Sequence, residues 1–189
     1  AFLVEVIAII DPLASFNWSS LLQRYDQLCR RFQPESSHLA VLNPHPKTDA
    51  ELYLQLVKRV SAEFHEKKLI SVDTYEGILY WKLYSQLNPP ALSFYANNRN
   101  RLMSELPKML NQFPNELNRD VEKIITLVQK FNRFNIWGSC AKTAIPVCTT
   151  LLHFLYPEVV PILDKMVLRA VGIDAPNANQ DINILRRYL

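Results

Sequence analysis

At 189 residues with a formal net charge of +3, the chain is long enough for one domain that buries roughly 70% of its unfolded surface. Its 49% hydrophobic and 21% charged residues exclude wholesale disorder, and only three glycines count against the sharp hairpins of an all-β fold. The mildly basic balance permits an anionic partner without requiring one.

Phe2–Ile10 is apolar except for Glu5, and its β-branched content suits a short strand as well as a helix packed all round. The run is too short to span a bilayer and no basic stretch precedes it, so neither a membrane segment nor a signal peptide is expected. Asn17 caps a predicted helix to Phe32, with Leu21, Leu22, Tyr25, Leu28 and Phe32 near helical spacing. Gln33–Lys47 is rich in Pro, Ser and His and reads as loop. The whole of 1–189 is expected as one helical domain, with 1–47 the candidate for a loosely attached N-terminal segment.

Thr48 and Glu51 form a capping-box pattern, and Tyr53, Leu56, Val57, Val60 and Phe64 follow on one helical face. Asp73 is expected to cap the next helix, which runs through Ile78, Leu79, Leu83 and Leu87 until Asn88-Pro89-Pro90 stops it. Leu92–Leu110 reads as helix with a break near Pro107. Asn118 is expected to cap a helix carrying Val121, Ile124, Ile125, Val128 and Phe131. Gly138 marks a turn, and Ala141–Leu155 is helical with Pro146 near its start. Short helices are predicted over Lys165–Val171, behind Asp164, and over Asp181–Leu189. The sum is an all-α fold of about seven to nine helices with short connections.

Cys29, Cys140 and Cys148 include no CxxC pair and no zinc-like Cys/His spacing. No metal or cofactor is expected, and the sparse set suits a reducing cytoplasm. There is no Walker loop and no GxGxxG. His153 sits on an apolar helix and reads as a satisfied core histidine. Ser139 and Cys140 lie too far along the helix from His153, roughly 20 Å, to pair with it.

The densest chemistry lies between Trp137 and Arg169. A turn at Gly138 leads into a helix start whose free N–H groups suit a phosphate, and Lys142 lies in that first turn. Asp164 follows Pro161-Ile162-Leu163 at the start of the next helix, with Lys165 and Arg169 beyond. A carboxylate bordering a cleft there would stabilise positive charge on a sugar or activate an attacking group. The simpler readings stand beside these: Lys142 as an exposed lysine, Asp164 as a helix cap and Arg169 as a surface ion pair with Glu158.

The window resembles the helix-hairpin-helix superfamily of DNA base-excision glycosylases. Their hairpin reads Leu-Pro-Gly-x-Gly-x-x-Thr-Ala, followed by an apolar helix and Val-Asp-x-x-Val-x-Arg. Here Gly138, Lys142-Thr143-Ala144 and Asp164-Lys165-Met166-Val167-Leu168-Arg169 match in order. The departures are Cys140 for the second glycine and Ile136-Trp137 for Leu-Pro; a Cβ at Cys140 crowds the backbone's approach to phosphate. No four-cysteine cluster follows, which excludes the iron–sulfur form. The likeness covers about 35 to 50 residues, and the Pro157–Asp164 loop is also similar to uncharacterised bacterial helical proteins related to that superfamily.

The resemblance implies a double-stranded DNA partner. It places Asp164 as the catalytic aspartate and Lys142 in the position of the Schiff-base lysine of strand-cleaving members. Gly138, Ser139, Lys142, Thr143, Lys165 and Arg169 become DNA-contact candidates. A flipped base needs an aromatic platform, for which Trp137, Trp81 and Tyr84 are the candidates; the simpler reading of the aromatic group around Trp81 is ordinary core packing. The alternative reading is a non-catalytic helical scaffold or protein-interaction domain.

Overall fold

The computed structural model describes residues 29–34, 39, 42–84, 90–133, 145–163, 168 and 182–189. These residues are all-α: six α-helices and one π turn, with no strand among them. The expected N-terminal strand, most of the 17–32 helix and most of the Lys165–Val171 helix lie outside the described residues.

Helix α1, Asp49–Val60, begins at the expected capping pair. Thr48 Oγ1 accepts from the Glu51 N–H at 3.2 Å, and Glu51 Oε2 reaches back to the Lys47 N–H at 2.7 Å. Asp49 and Glu51 in the first turn and Lys58 and Arg59 in the last complement the helix dipole. Leu52, Leu56 and Val60 are fully buried. The chain then widens into a π turn, Ser61–His65, which keeps Phe64 in the same core.

Helix α2, Val72–Leu83, is capped by Ser71 rather than Asp73. Ser71 is extended, and its Oγ accepts from the Thr74 N–H at 3.3 Å. Asp73 falls instead in the first turn, where its charge still faces the positive helix end. The helix stops at Leu83 with Tyr84 as its C-cap, short of the expected Leu87. Gly77 has a packing reason: a Cβ there would lie 2.8 Å from Leu56 Cδ2 of α1. Gly77→Val should therefore destabilise the fold by about 1–3 kcal/mol through overpacking. Urea unfolding would measure this, and an unchanged midpoint would mean that α1 and α2 are not so tightly apposed.

Helix α3, Pro90–Leu110, starts two residues before the expected Leu92 and runs through Pro107 without the expected break. Pro90 suits the first helical position, where its missing N–H costs nothing. Pro107 sits in the last turn, where the buried Leu106, Met109 and Leu110 hold the helix to the core. Arg99 pairs with Glu76 at 2.8 Å and ties α3 to α2.

Helix α4, Val121–Arg133, is capped by Asp120, not Asn118. Asp120 Oδ1 accepts from the N–H groups of Glu122 and Lys123, both at 3.1 Å. Its inward face is Ile124, Ile125, Leu127, Val128 and Phe131. Helix α5, Ile145–Leu155, packs against α1, α2 and α4 and is buried nearly all round, as a central helix must be. Pro146 lies in the first described turn of this helix, and its carbonyl accepts from the Thr149 and Thr150 hydroxyls. Helix α6, Ile182–Tyr188, inserts Leu185 into the core and packs on α4. Leu39 and Leu42 extend the same core from the N-terminal side.

Candidate functional site

The central helix α5 does more than fill the core. Its last two turns carry Thr149 and His153, one helical turn apart and bonded to the segment 156–163 that leads in sequence to Asp164. His153 Nδ1 lies 2.7 Å from the Val160 carbonyl. A carbonyl only accepts, so Nδ1 carries the proton and Nε2 presents a lone pair. That lone pair accepts from the Tyr53 hydroxyl of α1 at 2.7 Å. Thr149 Oγ1 accepts from the Leu163 N–H at 3.2 Å while donating to the Pro146 carbonyl at 3.1 Å.

Three further tethers hold the same segment. The Tyr156 hydroxyl donates to the Pro114 carbonyl at 2.6 Å, and the Tyr188 hydroxyl of α6 donates to the Ile162 carbonyl at 3.2 Å. Arg119 donates to the Glu158 carbonyl at 3.2 Å. Val160 and Leu163 are fully buried. A Pro-bounded loop with few turn bonds of its own is thus fixed from four sides.

Burial pushes the His153 pKa below the ordinary 6.5, against the opposing pull of the Val160 bond and of Glu158. Burial, reinforced by the Glu158 charge, pushes Tyr53 upward. Both groups are therefore held neutral. With both ring nitrogens occupied, His153 positions the loop and is not a free base. This agrees with its reading from sequence as a satisfied histidine. A cleft of 520 Å³ opens beside it, lined by Arg119, Val121, Ile124, Glu158, Pro161 and Ile162 among others. Its lining is mostly aliphatic, with Arg119 and Glu158 as charged side chains.

Another cleft, of 350 Å³, is lined by Tyr53 together with Asp49, Ala50, Leu54 and Trp81. Of the expected base-stacking residues, Trp81 lines this cleft and Tyr84 bonds to its lining residue Asp49. The Trp81 ring packs on Tyr53 at 5.4 Å and edge-on to Phe154 at 5.5 Å. Its Nε1 is buried with no partner among the described residues. Tyr84 packs against Phe32 and Tyr80, at 5.5 and 6.0 Å. Its hydroxyl donates to Asp49 Oδ2 at 3.2 Å, and Cys29 donates to Oδ1 of the same carboxylate at 3.5 Å. Burial, then the Asp49 charge, pushes the Tyr84 pKa well above its ordinary value.

Asp164, Lys142, Gly138, Ser139, Thr143, Lys165, Arg169 and Trp137 lie outside the described residues. The structure describes the helices on either side of the hairpin segment, α4 and α5, which pack on each other. Sequence reasoning missed Tyr53 as the partner of His153, and Thr149 and Tyr188 as polar partners of the loop. The available signal was weak: hydroxyl residues one or two helical turns from an apolar seam. Cys148 is buried and its pKa is pushed upward by that burial, which leaves it inert as a nucleophile. Among the described residues no group of three His, Cys, Asp or Glu could hold a metal ion. No helix among them is long and apolar enough to cross a membrane.

No family model, curated protein or solved structure matches the chain.

Proposed function

We propose that the chain is a DNA-binding helical protein of the helix-hairpin-helix kind, with cleavage of the N-glycosidic bond of a damaged base as its chemistry. The observation that carries this reading is the multiply tethered segment 156–163. Thr149, His153, Tyr188 and Arg119 hold a loop whose next residue in sequence is Asp164, and a catalytic carboxylate needs just such a rigid support. The packing of α4 on α5, with the Gly138–Lys142 segment between them in sequence, supports the helix pair of the hairpin. In this reading Asp164 stabilises the cation that develops as the glycosidic bond breaks. Lys142, once desolvated, attacks the sugar carbon. Backbone N–H groups from Gly138 to Thr143 take a phosphate.

The test is anisotropy with labelled duplexes carrying an abasic analogue or a damaged base, across salt, for wild type, Lys142→Ala and Asp164→Asn. Tight lesion binding weakened by Lys142→Ala, together with base release lost in Asp164→Asn, is the expected result. Absence of binding by the folded wild type at low salt would overturn it.

The second reading, a non-catalytic helical scaffold, draws on Trp81 and Tyr84. Both are engaged in aromatic packing and, for Tyr84, in a bond to Asp49. It predicts wild-type folding with neither lesion binding nor base release.

A further inference from the structure

The solvent face of α4 carries a stripe of cationic residues. Lys123, Thr126, Lys130 and Arg133 recur at helical spacing opposite the buried Ile124, Val128 and Phe131. Lys123 and Arg133 are exposed and Lys130 is half-buried. The acid of this helix, Glu122, is occupied: Arg186 of α6 grips it at 2.8 and 3.2 Å. Lys130 and Arg133 have no ionic partner among the described residues, and Lys123 has only a 3.7 Å contact with Asp120.

Helix chemistry alone does not account for the stripe. Lys130 and Arg133 near the C-terminus complement the dipole, but Lys123 lies in the first turn, where a cation faces the positive end. From Lys123 to Arg133 the stripe runs about 15 Å along the axis, comparable with the roughly 12 Å width of the major groove. Its C-terminal residue leads directly in sequence into the hairpin segment.

We propose that Lys123, Lys130 and Arg133 form a track for the phosphate backbone of duplex DNA, on the helix that precedes the hairpin segment in sequence. This rests on the DNA-binding reading above and extends it to a surface outside the hairpin. The track positions DNA by charge and reads no sequence.

The test is binding of a fluorescent random-sequence duplex between about 50 and 200 mM NaCl. Wild type is compared with the triple variant Lys123→Ala/Lys130→Ala/Arg133→Ala. The control is Lys58→Ala/Lys67→Ala/Lys108→Ala, which removes equal charge elsewhere; circular dichroism melts establish that both variants fold. Three lost phosphate contacts should flatten the slope of log K against log salt by about 2–3 units and weaken binding at the lowest salt roughly tenfold or more. The control should keep the wild-type slope.

If wild type binds and the triple variant matches it, the track is wrong while the DNA-binding reading stands. Equal losses in both variants would also overturn the track, since they would report only bulk charge. If wild type binds no duplex, both ideas fall together. Fluorescent poly-glutamate captured through the same three residues, with duplex ignored, would overturn the proposal in favour of an acidic protein partner.

Discussion

Glu63→Ala is expected to lower unfolding stability by about 3 kcal/mol, the larger share of it at the junction between α1 and α2. The Glu63 carboxylate accepts from the Ser71 N–H at 2.7 Å, the Ser71 and Thr74 hydroxyls at 2.9 Å each, and Arg59 Nε at 3.1 Å. Thr74 is fully buried. Truncation therefore leaves a buried hydroxyl and a helix-start N–H without their acceptor, while a carboxylate is lost from the positive end of α2. In a chain of this size the melting temperature should fall by about 6–12 °C. Glu63→Gln keeps one acceptor oxygen and should lose less.

The same network sets a pH dependence. Burial pushes the Glu63 pKa up, but the bonds from Ser71, Thr74 and Arg59 outweigh it, and the net shift is downward from 4.5. The unfolded state then binds the proton first as pH falls. The contribution is complete above 4.5 and is lost as pH falls from there through the folded-state pKa. Urea titrations at pH 7 and through the acid range would show it. A Glu63→Ala protein with the wild-type midpoint at neutral pH would dismiss the network as a surface ornament.

What was legible in the sequence follows the range of the interactions. The capping box at Thr48 and Glu51 is local, and it appears as read. The face Leu56–Val60–Phe64 is a periodic pattern and is buried as read, even through a π turn that no pattern announced. The start of α2 went astray because two cap-capable residues, Ser71 and Asp73, stand two apart. Glu63, distant in sequence, decides between them by bonding Ser71. The start of α4 poses the same choice between Asn118 and Asp120, and the geometry of the preceding turn selects the second. Pro107 was a local breaker overridden by the burial of its neighbours, a tertiary effect. At the candidate site the histidine was legible and its partners were not. Tyr53 and His153 are a hundred positions apart, and nothing in either local pattern joins them.

His153→Ala is expected to cost about 2–4 kcal/mol and to loosen the segment before Asp164 more than the rest of the molecule. Two bonds go at once, and the Val160 carbonyl and Tyr53 hydroxyl lose their partner beside an aliphatic cleft. The aromatic contacts of the ring with Tyr53 and Phe154, at 5.8 and 5.9 Å, go with them. Hydrogen exchange should rise first at Val160 and Leu163, since sub-global opening follows the weakest tether. The pH dependence has the sign of a histidine held neutral. The folded-state pKa lies below 6.5 because burial disfavours the imidazolium. The unfolded chain takes up the proton first, so stability is full above 6.5 and is lost as pH falls from there through the folded-state pKa. His153→Phe, which fills the space without titrating, should flatten that limb while leaving the Glu63 limb at lower pH in place. Since the proposed chemistry needs Asp164 held in register, lesion-base release should fall in His153→Ala by a larger factor than lesion binding. Equal losses of both would mean that the tethered loop supports the fold and nothing more.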